Sequence, residues 1–331
     1  MTEQFVAEIA SRFCLGRPVR WRELGGSSTT NLRLDLSDGQ SLVARVHGRG
    51  TTAGRLAAIQ SARHAAAAGV PVVLPIPAPD GRGHVLLADR LLAEIEPHVV
   101  HDDRMNRMPL LEQGFGVLGR LHDALRTADL PAEAAVAVHA NHLSAEASVE
   151  AAGRGRARIA GWGEPDLTAY ADRAVGHLET VAAAEEPLRA AQRQQIVHGD
   201  FWDNNVLIHR GEVVAVIDFD FMARRPRVDD LALAAYFFLL EPPLTIPSAE
   251  DRTAIAAMVD AYDRRTDQPL SPEERATLPL AIARQPAWSI GRHVLELDDE
   301  RARAHAKAAM AELGVAEAVL TDLPVWQGAL G

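Results

Sequence analysis

Asp200, Asn205 and Asp218 are the residues whose types and spacing suit chemistry. They lie in Ile196-Val197-His198-Gly199-Asp200-Phe201-Trp202-Asp203-Asn204-Asn205-Val206-Leu207-Ile208 and in Val213-Val214-Ala215-Val216-Ile217-Asp218-Phe219-Asp220. Phosphoryl transfer needs such an inventory. A hard Mg2+ ion takes oxygen ligands, typically one or two from protein and the rest from phosphate and water. A carboxylate must also orient the attacking hydroxyl and accept its proton. Asp200 suits the base, Asp218 a bridging metal ligand, and Asn205 a second metal position that adds no negative charge. Taken singly, each is also an ordinary turn cap or strand end.

The elements around them supply the argument for convergence. Two apolar runs flank Arg210-Gly211 and read as a β-hairpin. Asn205 begins the first strand and Asp218 follows the second, so the hairpin brings both to one end, beside the loop holding Asp200. Upstream, Trp21–Leu24, Leu32–Leu36 and Ser41–His47 read as strands, with Gly25-Gly26-Ser27-Ser28 and Ser37-Asp38-Gly39 as turns. A helix from Phe5 is expected to stop at Gly16, an Ala-rich helix runs from Gly54 to Ala68, and His84–Ala88 reads as strand. From Met108 the periodicity is mostly helical, including Val136–Pro187, Asp229–Leu240, Ala254–Arg264, Pro279–Asp298 and Glu300–Leu313. The expectation is an α+β chain of two lobes, residues 1–91 and 92–331, joined near Asp89–Ala93.

The segment resembles the aminoglycoside phosphotransferase and choline kinase superfamily. Its hallmark is His-Gly-Asp, four residues, Asn, then a hairpin ending in Ile-Asp-Phe or Ile-Asp-Trp, matched here by His198-Gly199-Asp200, Asn205 and Ile217-Asp218-Phe219. Asp230-Leu231-Ala232 and Gly119-Arg120-Leu121-His122 match further motifs. The resemblance implies a protein-kinase-like fold, with a small antiparallel-sheet lobe over a larger helical one. It implies a kinase that moves the γ-phosphate of ATP or GTP, with Mg2+, to a hydroxyl of a small metabolite or an antibiotic such as an aminoglycoside. It places Gly25, Gly26, Ser27 and Ser28 over phosphates, Arg45 where many kinases have Lys, and the nucleotide base near Leu87, Asp89 and Leu91. A nucleotide-binding regulatory module, or a kinase acting on protein Ser or Thr, are the alternatives.

One departure concerns the cation's usual partner, a Glu on the following helix. No acidic residue occurs between Thr51 and Pro79, and Gln60 is the nearest substitute. For the acceptor, Asp203 could face an amine, Trp202 and Trp288 could stack on a sugar or cation, and Glu296 could line a cationic pocket. For the two tryptophans core packing is the alternative, and for Glu296 a helix junction with solvated carboxylates. Asp220 is a metal ligand or a turn residue. His101-Asp102 and His122-Asp123 invite a metal-hydrolase reading, but His122 sits in an apolar stripe and reads as structural. Arg224-Arg225 could bind phosphate or simply be solvated.

Composition narrows the class further. The formal charge of −11 over 331 residues argues against a nucleic-acid partner and is compatible with a cationic substrate. An acidic surface also simply maintains solubility. The lone Cys14 excludes an intramolecular disulfide, and no signal peptide or membrane span is apparent. A cytoplasmic monomer or homodimer is expected.

Overall fold

The computed structural model describes residues 2–26, 29–137 and 144–331. Its first part is a five-stranded antiparallel sheet, ordered β1 (Pro18–Gly25), β2 (Thr29–Leu36), β3 (Ser41–His47), β5 (Leu92–Pro97) and β4 (Val85–Leu86). Alternation builds it. Leu32, Leu34 and Leu36 share one face of β2, Leu42, Ala44 and Val46 share the same face of β3, and Val6 and Ile9 of α1 (Glu3–Arg12), with Phe13 just after it, pack onto them. α1 stops before Gly16, because Cys14 takes the left-handed conformation (φ 51°) and Leu15 N–H bonds back to the Ala10 carbonyl.

The sheet runs past the expected junction at residues 91 and 92. Leu92–Pro97 is one of its inner strands, with Arg45 opposite Glu94 and Leu42 opposite Pro97. Two glutamates in Leu92-Ala93-Glu94-Ile95-Glu96 disguise it as a charged connector, yet both are buried. α2 (Ala53–Ala66), capped by Thr52, reaches this sheet through Gln60 and Arg63, while its Ala58, Ile59, Ala62 and Ala66 pack into the largest core.

The remainder is mainly helical. α3 (Leu110–Thr127), α6 (Val228–Leu239), α7 (Ala249–Asp263) and α8 (Pro272–Arg284) enclose the largest core. α4 (Ala145–Ala160) and α5 (Pro165–Glu185) pack with Asp299–Thr321 around a second core. The helix expected to begin at Pro279 starts at Pro272. Its start is set by a capping box between Ser271 and Glu274, and Pro279 lies in its interior. Beyond Arg284 the expected continuous helix becomes a π-helical turn at Ser289–His293. Two small ladders hold the chemistry-bearing segment. β6 (Gln194–Val197) pairs with β9 (Ala223–Pro226), and β7 (Val206–His209) pairs with β8 (Glu212–Val216).

Candidate active site

The hairpin forms as the turn chemistry dictates. Arg210 and Gly211 both take positive φ (52° and 81°), the pattern of a two-residue type I′ turn, and His209 pairs with Glu212. At its open end Ile217 N–H donates to the Asn205 carbonyl at 3.0 Å, so Asn205 and Asp218 lie side by side. The Asn205 amide then donates to the Asp200 carbonyl and to its carboxylate, both at 2.8 Å. Asp218 itself sits at φ 62°, ψ 65°, a left-handed conformation that Asp tolerates better than most side chains.

The loop carrying Asp200 is held from beneath. Asp230, fully buried on the first turn of α6, accepts from the backbone N–H groups of His198 and Gly199, each at 2.8 Å. His122 of α3 lies 3.1 Å from the same carboxylate and 2.9 Å from the Tyr262 hydroxyl. His198 accepts from Asp200 N–H at Nδ1, so its Nε2 donates to the Ile217 carbonyl. Burial pushes its pKa down, which agrees with this neutral tautomer. Gly199 cannot be replaced simply, since its φ is 80° and a Cβ would lie 2.1 Å from the Phe221 carbonyl oxygen.

The electrostatics around Asp200 follow from this packing. Burial, then the neighbouring Asp218 charge, push its pKa up to about 7, while the hydrogen bond from Asn205 opposes them. A carboxyl group poised there can accept a proton near neutral pH.

Arg45 reaches the same point from the sheet. It is 5% exposed, and its Nη2 lies 2.9 Å from Asp218 and 3.0 Å from Asp220. Its Nη1 lies 3.2 Å from Glu94 and 3.6 Å from Glu96. The anchor missing from α2 is therefore supplied by the neighbouring strand. What α2 supplies instead is positive or neutral. Arg63 pairs with Glu94 (3.1 Å) and Glu96 (2.6 Å), and Gln60 donates to Glu94 at 3.0 Å. Arg55 donates to the backbone carbonyls of Asp220 and Met222. Burial pushes Glu94 up, but His47, 3.3 Å away, and the Arg63 and Arg45 guanidiniums outweigh it and hold it well below the usual range. Burial keeps Glu96 above that range despite the same two arginines. Sequence reading missed Glu94 and Glu96; their i, i+2 spacing, both facing one side of a strand opposite Arg45, is the signal that marks them.

The structure thus brings Asp200, Asn205, Asp218 and Arg45 together. Gly25 and Gly26 close the β1–β2 turn, where a Cβ on Gly26 would lie 2.2 Å from the Thr29 carbonyl oxygen; Thr29 pairs with His47, two residues past Arg45. Ser27 and Ser28 lie outside the described residues. Leu87, Asp89 and Leu91 are not brought to this point. They form the β4–β5 turn at the end of β5 remote from the connection to the helices, with Leu87 buried in the sheet core and Ala88 N–H donating to Glu8 of α1. Asp203, expected to face an amine, is already paired with Arg104. Trp202 stacks on Phe237 at 4.1 Å between ring centroids. Trp288 packs against His293 and His305, and Glu296 pairs with Arg292, whose guanidinium lies over Phe221.

Among the described residues, no group of three or more His, Cys, Asp or Glu side chains could hold a metal. Mg2+ does not require one, because it keeps several waters and uses one or two protein oxygens. The Asn205 amide nitrogen is committed to Asp200, which leaves its oxygen available, and the Asp218 side chain is 28% exposed toward the cleft. The buried Oδ1 of Asp220 has no hydrogen-bond partner among the described residues. These oxygens fit a small divalent ion.

Comparison with known proteins places this geometry. The model of the phosphotransferase enzyme family matches residues 21–276. No curated protein matches the chain. Among solved structures, an amicoumacin kinase in complex with AMP-PNP, Ca2+ and Ami is similar, with a TM-score of 0.71 and 16% identity over 96% of this chain and 94% of that one. A microcompartment-associated aminopropanol kinase gives 0.66 and 17% over 97% and 98%. A spectinomycin phosphotransferase in complex with ADP and spectinomycin gives 0.66 and 12% over 97% and 98%. The fold is the α+β protein-kinase-like fold. The chain belongs to the phosphotransferase enzyme family.

Proposed function

We propose that this member of the phosphotransferase enzyme family transfers the γ-phosphoryl group of ATP or GTP to a hydroxyl of a small molecule. The observation that carries the reading is the Asn205 amide bridging to Asp200 at 2.8 Å while its backbone carbonyl binds Ile217, next to Asp218. One hydrogen-bonded unit therefore presents a base and two metal-ligating oxygens at one end of a hairpin.

In this reading Asp200 orients the acceptor hydroxyl and takes its proton, helped by a pKa of about 7. Asn205 and Asp218 would hold Mg2+, with Asp220 adjoining. An ion there supplies neutralisation of phosphate charge. Arg45 contacts phosphate oxygens through its forked donors. Its Nη2 lies 2.9 Å from Asp218 and 3.0 Å from Asp220, which sets the guanidinium beside the oxygens that would hold the ion. Gly25 and Gly26, with Ser27 and Ser28, cover the phosphates. The base is received by the segment following Pro97, at the sheet end where Leu42 and Pro97 pair, instead of at Leu87–Leu91. The division between lobes then falls after Pro97. AMP-PNP and ADP in the solved relatives support an adenine nucleotide. The varied antibiotic and amino-alcohol names among those relatives support a small hydroxylated acceptor, and the chain has no helix long and apolar enough to cross a membrane among its described residues.

The test is nucleotide-dependent phosphorylation across amino sugars, aminoglycosides, peptide antibiotics and amino alcohols. Asp200→Ala should keep the fold and lower turnover by about two to four orders of magnitude. Near-normal turnover in that variant would sink the assignment.

A further inference from the structure

Arg55 ties distant stretches of chain to one point behind the cleft. Its place on α2 is fixed first. Thr52 caps the helix by accepting from the Arg55 backbone N–H at 3.1 Å, and the next residue, Leu56, is fully buried. The side chain therefore leaves a rigid first turn, and it is itself buried. Its two terminal nitrogens carry four N–H bonds, and all four are used. Nη1 donates to the carbonyls of Glu133 and Ala134, at 2.7 and 3.3 Å. Nη2 donates to the carbonyls of Asp220, at 3.0 Å, and Met222. All four acceptors are backbone oxygens. Arg63, two turns further along α2, instead pairs with the carboxylates of Glu94 and Glu96.

What this grip holds is the turn that carries Asp218. Asp218 is left-handed, and Phe219–Phe221 follow as a single 3-10 turn, closed by Met222 N–H on the Phe219 carbonyl at 3.1 Å. A non-glycine residue in that region keeps its conformation because its surroundings impose it. Arg55 supplies two of the fixed points, the carbonyls on either side of Phe221. The other two lie in Ala132–Ala135, a short 3-10 segment after α3. A lysine could not span them, since an ammonium presents its donors at one point and a guanidinium presents a planar fork. The guanidinium also sets positive charge behind Asp220. Burial pushes the Arg55 pKa down, and the Asp220 carboxylate opposes that shift.

We propose that Arg55 is a positioning residue for the divalent ion. It fixes the Asp218–Met222 turn to α2 and to Ala132–Ala135, so that Asp218 meets the ion in a geometry set before binding. The inference rests on the reading of Asn205 and Asp218 as ion ligands. It also gives α2 a separate line to the cleft: Gln60 and Arg63 act on the sheet, and Arg55 acts on the turn that holds the ion. Groups that fix a ligand from behind typically govern metal affinity by about 10–100-fold.

The test is binding, with Mn2+ as a probe that favours the same oxygen ligands as Mg2+. Mn2+ is titrated into the full chain with AMP-PNP and read by electron paramagnetic resonance; AMP-PNP alone is titrated by calorimetry. Arg55→Lys keeps the charge and loses the fork. It should weaken Mn2+ in the ternary complex by about tenfold and leave the affinity for AMP-PNP alone unchanged. Arg55→Gln loses both and should weaken Mn2+ further. A clamp that only stabilises the fold would lower the melting temperature and leave Mn2+ affinity of the folded variants equal to wild type, which overturns the proposal. Hydrogen exchange on the wild type needs no variant that could fail to fold. Adding Mn2+ and AMP-PNP should slow exchange across Ala132–Ala135 as well as Phe219–Met222, and unchanged exchange at Ala132–Ala135 also overturns it. Failure of the underlying reading looks different. The wild type would then bind no Mn2+ with AMP-PNP up to about 1 mM, or Asp218→Asn would bind it equally well, and the inference falls with that reading.

Discussion

Two buried polar clusters lie close together, one beneath the loop that carries Asp200 and one in the cleft above it. Beneath the loop, the single carboxylate of Asp230 meets two backbone N–H groups and His122, and His122 in turn meets Tyr262. Donors and acceptors there are matched. In the cleft, Arg45 and Arg63 stand among Glu94, Glu96, Asp218 and Asp220, two guanidiniums against four carboxylates. Burial raises the pKa of Asp220 and Glu96 because the arginines cannot satisfy all four. The matched cluster fixes geometry; the unmatched one holds negative charge that a cation would complete. A polar network satisfied by its own chain holds geometry, and one left in deficit costs free energy unless a partner completes it.

That contrast can be broken by substitution, and the largest effect belongs to the cleft. Asp218→Asn should cut turnover by about 10²–10³, the scale for losing one preorganised electrostatic group, while its melting temperature stays level or rises. A fall in both would place Asp218 in the scaffold. Asp230→Asn should behave in the opposite way. Its amide offers only one acceptor oxygen to the two N–H groups, so one buried donor loses its partner, at about 1–3 kcal/mol of stability. Chemical denaturation with an unchanged midpoint would remove Asp230 from its structural role.

Glu94→Gln comes next. Arg45 keeps its place in β3 but loses its ionised cross-strand partner, and the Michaelis constant for nucleotide should rise by about tenfold, near 1.4 kcal/mol, with a smaller change in turnover. Equal affinity in the variant would mean that Arg45 is positioned by the carboxylates of the loop alone. The pH profile gives a fourth measure. The base is active when deprotonated and its pKa is raised to about 7, so log kcat/KM should climb with pH and level off above about 7. This limb reports the free enzyme; in kcat it should move to lower pH, since bound cation favours the carboxylate. A profile flat from pH 5 to pH 8 would contradict the burial argument. The smallest effect is Glu96→Gln, which relieves surplus charge and should shift stability by about 0.5 kcal/mol or less.

The sequence showed most where the physics is local. The Arg210-Gly211 turn, the period-2 strands and the juxtaposition of Asn205 with Asp218 depend on neighbouring residues, and all were readable. Arg45 was readable through the resemblance, by its place on the third strand. Glu94 was not, because its partner lies 49 residues away and only the β3–β5 register shows that they face each other. The place of the Leu87–Leu91 turn was unreadable for the same reason, since only the direction of β5 shows at which end of the sheet it lies. Pro279 was read as a helix start on general grounds, whereas the capping box at Ser271 and Glu274 set the boundary. Trp288 and Glu296 found aromatic and arginine partners that no local pattern announced.

The pairing of Arg45 with Glu94 has a consequence for control. Where a kinase keeps these partners on a strand and a separate helix, swinging the helix can disarm the enzyme. Here both belong to adjacent strands hydrogen-bonded in register, so forming the sheet forms the pair. Displacing α2 removes Arg63 and Gln60 but leaves Arg45 and Glu94 facing each other. Such a pair is assembled by folding itself.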